Sequence, residues 1–227
     1  CTGECNFILR DAPVSENRRV PTGRSYYGGL AREDSVSIIN KALYRGDIDI
    51  KEKIRLYAFS LFDRGRLSDE YRSWIPVKSG TTVVKEIYDY INSKNADETV
   101  VEEVGRYLRG AVPSLDKEYI TPGGYFKVRY TTSGRNAVPL YDYNRNGIPD
   151  YVESIGSSLE SVKDRACGYM GFKTPMLDKG KDFFEVNVYD LNGYYGITYP
   201  LNYYRSPYSG TRTASCGISV DNNYSPA

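Results

Sequence analysis

Residues 142–153 read Asp142-Tyr-Asn-Arg-Asn-Gly-Ile-Pro-Asp-Tyr-Val-Glu153, and the fold of the second half of the chain turns on them. Oxygen-bearing side chains recur at every second position. A glycine follows, Ile-Pro ends the turn, and Asp150-x-x-Glu153 has the form of a capping box. The stretch predicts a tight polar turn that opens a helix at Asp150, running towards Tyr169 and closing near Gly171. On its N-terminal side, the turn signal Thr121-Pro-Gly-Gly124 precedes Tyr125–Thr131, which alternates apolar and polar residues as a strand does. On its C-terminal side, 183–189 alternates again, and further strands are expected over Tyr194–Tyr199 and Ala214–Val220. One helix laid on a small sheet makes this half α+β.

Upstream, the period changes to that of helices. Asp34 or Ser35 can cap a helix carrying Val36, Ile39 and Leu43, which Gly46 stops. Asp49 caps a second through Ile54, Tyr57, Ala58, Leu61 and Phe62, ending near Gly65. A third is expected over 82–91 and a fourth over 97–108, before Gly110. Residues 1–32, with Pro13, Pro21, Gly23, Gly28 and Gly29, read as an extended arm. The expected organisation is an arm (1–32), a helical subdomain (33–115) and an α+β lobe (116–227).

Composition narrows the function. The chain has 227 residues, a formal net charge of +1 and no histidine. Near-neutrality gives no global field for nucleic acid, and no apolar run approaches the roughly 18 residues of a membrane span. The missing histidine excludes Ser-His and Cys-His pairs, imidazole bases and His-containing zinc sites within this sequence. The 23 tyrosines suit half-buried strands and also a protein- or sugar-binding surface. Four cysteines (Cys1, Cys5, Cys167, Cys216) allow three pairings, among them a Cys1–Cys5 loop and a Cys167–Cys216 staple. A chain that begins at Cys1 suggests a processed, exported product with at least one disulfide, or a lipoprotein acylated at Cys1.

The polar turn also carries chemistry. Calcium takes six to eight hard oxygens at about 2.3–2.6 Å, which a tight loop supplies by turning alternate residues inward. The pattern D-x-[DN]-x-[DN]-G-x5-E is matched throughout. Asp142, Asn144 and Asn146 take its first, third and fifth positions, and Gly147 makes the turn. Ile148 offers a backbone carbonyl, Asp150 stands where coordination passes through water, and Glu153 is the bidentate closer. No helix precedes the loop, since 131–141 contains Gly134 and Pro139, so the expectation is a lone loop–helix module. With three carboxylates it belongs at the weak extracellular end, about 10⁻⁴–10⁻³ M. Asp178, Asp182 and Asp190 read as solvated loop ends rather than a second oxygen site.

Several segments together resemble a known family: ALYRGDID (42–49), RLYAFSLFDRGRLSDEYRS (55–73), TPGGYFKVRYTTSG (121–134), the polar turn itself and VNVYDLNGYYGITYP (186–200). They are similar to secreted prokaryotic zinc metalloproteases, over about Asp34–Tyr224. The resemblance implies a propeptide-like role for the helical subdomain and a catalytic-domain lobe after it. It also implies a zinc-binding H-E-x-x-H helix beyond a segment like ISVDNNYS (218–225), which these 227 residues do not contain. Arg129 stands where the family pattern often has histidine. The calcium-type loop transfers; no catalytic residue does. Three functions follow as expectations: an extracellular, calcium-stabilised structural or interaction protein that assembles through its arm and tyrosines; the N-terminal part of a metalloprotease; or a calcium-dependent glycan-binding module.

Overall fold

A computed structural model describes residues 33–109, 112–205, 210 and 212–224. The arm, and with it Cys1 and Cys5, lies outside them. Helix α1 (Ser35–Arg45) begins where the Asp34 carboxylate accepts the Ser37 N–H at 2.9 Å. It ends at Gly46, whose φ of 78° lets the chain turn back onto the last carbonyls. Helix α2 (Ile50–Phe62) is capped by Asp49 in the same way and runs into a 3₁₀ turn over 64–66. Helices α3 (Thr81–Ile91) and α4 (Glu98–Arg109) complete the group. Their apolar stripes meet in one core that includes Ile39, Ile54, Tyr57, Leu61, Val83, Ile87, Val100 and Val104.

The lobe is a five-stranded mixed sheet, so the α+β expectation holds. Its strands are β1 (Lys117–Ile120), β2 (Phe126–Tyr130), β3 (Phe184–Val188), β4 (Gly196–Arg205) and β5 (Arg212–Val220), ordered β1-β2-β3-β5-β4. Strands β2, β3 and β5 are parallel, and antiparallel β1 and β4 close the two edges. Helix α5 (Asp150–Lys163) forms the β2-to-β3 crossover and continues as a π-helical turn over 164–169. Its stripe of Val152, Ile155 and Leu159 packs on the face formed by Phe126, Val128 and Tyr130 of β2 and Val188 of β3. Each buried aliphatic residue there contributes roughly 1.5–3 kcal/mol.

Helices α1–α4 pack against the segment after β3 and the start of β4, and their core runs on into Tyr189, Leu191, Tyr194 and Ile197. A backbone seam reinforces the junction. The Val77 N–H donates to Gly193 O and the Gly80 N–H to Gly196 O, both at 2.8 Å, while Tyr195 N–H returns to Val77 O at 3.0 Å. Gly80 is required at this approach: a Cβ there would lie 2.8 Å from Ile197 and 2.9 Å from Leu61.

Three expectations need correction. Strand β1 has no counterpart in the sequence reading, because its four residues show no buried alternation. Strand β4 runs six residues past Tyr199. Pro200 is tolerated because this is an edge strand, and a bulge follows before pairing resumes at Tyr203. The Cys167–Cys216 staple is not formed. Cys167 sits on the π-helical turn after α5 and Cys216 on β5 opposite Pro200, and no disulfide joins the two.

Candidate metal centre

The loop between β2 and α5 is shaped by its own side chains. The Asp142 carboxylate accepts the N–H of Asn146 (3.1 Å) and of Gly147 (2.8 Å), pulling residues 142–147 into one turn. Asn144 and Asn146 each accept the N–H two residues on, from Asn146 (3.0 Å) and Ile148 (2.8 Å). Two residues take the left-handed region, Arg145 at φ 58° and Gly147 at φ 86°. The second explains the glycine, since a side chain there costs roughly 1–2 kcal/mol. Ile148 fixes the exit by packing its side chain against the core beneath α5.

Glu153, one turn into α5, closes the loop. Its two oxygens accept from the side-chain amides of Asn146 (2.7 Å) and Asn144 (2.9 Å). Four of the six predicted ligand residues are thus drawn together: Asp142 through the Asn146 N–H, and Asn144 and Asn146 through Glu153. Asp150 is differently placed. Its carboxylate reaches back to the Tyr143 N–H at 3.1 and 3.3 Å, and its own N–H donates to Tyr141 O. The expected capping box is therefore not formed. Pro149 occupies the cap position, and its carbonyl accepts the N–H of Val152 and of Glu153.

Among the described residues, no three Asp, Glu or Cys side chains close on a common point. The loop's donor set is a mixture of carboxylate, amide and carbonyl oxygens, so a count of acids alone does not probe it. The oxygens have the hardness and number calcium needs. Asn144 and Asn146 turn their amide nitrogens to Glu153 while their Oδ1 atoms accept the N–H of Asn146 and Ile148, and each carbonyl oxygen keeps a second lone pair for an ion. The loop is exposed, so an ion would reach it directly, and beside it Tyr141 and Tyr143 stack with ring centroids 6.1 Å apart.

The other acids disperse. Asp178 accepts from Ser215 and Asn202 before β3, and these donors, Ser215 foremost, hold its carboxyl below the usual range. Asp190 lies beyond the other end of β3, paired with Arg135. The sequence reading missed Asp221, a buried carboxylate after β5 that accepts the N–H of Leu191, Asn223 and Tyr224. Burial raises its pKa despite those donors. The run Asp221-Asn-Asn at a strand end was its only signal. Comparison with protein-family models, with characterised proteins and with solved structures finds no match to this chain.

Proposed function

We propose that this chain is an extracellular, calcium-stabilised structural or interaction protein. The observation that carries the reading is the loop at 142–153, where a full calcium-type spacing coincides with a turn that already gathers Asp142, Asn144, Asn146 and Glu153. A bound calcium ion would supply a structural clamp between the segment after β2 and helix α5. Asp142, Asn144, Asn146, the Ile148 carbonyl and Glu153 would hold it, with Asp150 acting through water. The mixed, three-carboxylate donor set suits millimolar extracellular calcium better than a cytosolic signal. No helix flanks the loop on its N-terminal side, so a sensor's paired-helix opening has no counterpart here. The absence of histidine leaves these 227 residues without the zinc-binding motif of the metalloproteases they resemble.

Calorimetric titration with calcium tests the site. The wild type is expected to bind one ion and Glu153→Gln none; equal isotherms would remove Glu153 from the ligand set. Light scattering in calcium and in chelator tests assembly, and a particle of unchanged monomer mass in both would count against an assembly role. The metalloprotease lineage is favoured by the segments at 42–49 and 186–200. A reading frame that continues past Ala227 into H-E-x-x-H would make the chain the N-terminal part of an enzyme.

A further inference from the structure

A groove opens at the carboxyl ends of β2 and β3, where loops leaving parallel strands commonly build ligand sites. One wall is the loops after those strands, carrying Arg135 and Asn192. The other is the end of α2 with the 3₁₀ turn and the loop beyond it, carrying Phe62, Arg64, Arg72 and Trp74. The open cleft between these walls measures about 610 Å³, and a neighbouring hollow of about 320 Å³ shares Phe62, Arg135 and Asn192 with it. That is the size range of small-ligand sites.

The charges in this groove are unevenly matched. Arg135 is paired with Asp190 at 2.5 Å and also donates to Asn192 Oδ1, while Arg72 is paired with Asp69 at 3.1 Å. Arg64 has no carboxylate partner among the described residues. Its Nη1 donates to Asn192 O at 2.8 Å and its Nη2 to Ser73 O, both neutral carbonyls. A guanidinium has five N–H donors, so three remain after these two. Asp63 also lines the groove; its carboxylate accepts from the Tyr107 hydroxyl and forms no ion pair with Arg64. Burial first, and then the like charge of Arg72, pull the pKa of Arg64 below the ordinary guanidinium value. A half-buried cation beside a second cation is costly unless an anion joins them. The two carbonyls fix the orientation of the guanidinium fork at the groove wall.

We propose that this groove binds a small organic anion, whose carboxylate, phosphate or sulfate group docks on Arg64 and Arg72 while its apolar body lies against Phe62 and Trp74. Planar guanidinium forks match such oxyanions in bidentate geometry. The reading is independent of calcium, because no residue of the 142–153 loop lines the groove.

Trp74 is the one tryptophan in the chain and is 53% exposed at the rim, so its fluorescence reports directly on the groove. The full chain is titrated at low salt with inorganic phosphate, phenyl phosphate and acetyl-triglutamate. A saturable change is expected with phenyl phosphate, weaker with phosphate. Tighter binding of acetyl-triglutamate would identify the anion as a peptide carboxylate. Arg72→Gln is expected to weaken binding about tenfold. Arg64→Lys keeps the charge but loses the fork, and is expected to lower the preference for phosphate esters over chloride. Arg45→Gln, on exposed α1, serves as control. Non-saturating changes with all three probes, or binding by Arg72→Gln and Arg64→Lys that matches Arg45→Gln, would overturn the proposal.

Discussion

Calcium should raise the melting temperature by a calculable amount. The loop is already closed by hydrogen bonds from Asn144 and Asn146 to Glu153, and an ion must replace both. Each is an exposed bond of about 1 kcal/mol, so their loss moves the affinity to the weak end of the extracellular range, about 10⁻³ M. At 10 mM calcium, mass action then adds about 1.4 kcal/mol of stability. For a chain of this size that is a rise of about 3–6 °C. Scanning calorimetry at constant ionic strength reads it, with 10 mM magnesium as the control for screening. Magnesium demands tighter octahedral geometry and should give little. Glu153→Gln should abolish the rise and lower the calcium-free melt by about 1 kcal/mol, because the amide keeps only one of the two acceptor oxygens. Asp142→Ala should lower the melt even without calcium, by about 1–2 kcal/mol, because its carboxylate also holds the N–H groups of Asn146 and Gly147. An equal rise in wild type and Glu153→Gln, or an equal rise with magnesium, would refute the reasoning.

Gly80→Ala should destabilise by about 1–3 kcal/mol in urea titration, through overpacking against Leu61 and Ile197. Gly168→Ala meets nothing within 4 Å and should be neutral, so equal effects would dismiss the packing argument. The depressed carboxyl of Asp178 contributes stability that is present above the unfolded value of about 4 and is lost as pH falls through the folded one. Asp178→Asn should therefore flatten the acid limb of the stability curve, and an unchanged limb would show that Asp178 does not contribute to it. Native alkylation followed by peptide mapping should modify Cys167, which is partly exposed on the turn after α5. Recovery of a peptide disulfide-linked between Cys167 and Cys216 would contradict the fold.

The helices were legible because their punctuation is local. Asp34, Gly46 and Asp49 act on neighbours within one turn, and that chemistry is written in sequence order. The alternation in β2 and β3 was legible for the same reason, since both strands are buried on the α5 face. Strand β1 and the far half of β4 are edge pairings. What makes them strands is the partner across the ladder, and their own exposed residues carry no period. At the loop, the ligand pattern and the need for Gly147 could be read directly. The role of Asp150 could not, because Asp150 turns away from its own helix to the Tyr143 N–H. The arginine groove was invisible for a further reason. It joins Arg64 and Arg72 to Arg135 and Asn192, residues far apart in sequence that only the seam brings together.

That seam should make the helical half and the sheet unfold together. Leu191, Tyr194 and Ile197 belong to the sheet's side of the chain, yet they are interior residues of the helical core. A nick in the linker at 112–116 would leave the two pieces clasped, and the molecule should unfold in a single transition. Separating them would strip solvent protection from the buried tyrosine Tyr194, whose hydroxyl is hydrogen-bonded to Ser60 at 2.7 Å. The helical half shares its core with the residues around β4, so a substitution on one side of the seam acts on packing on the other.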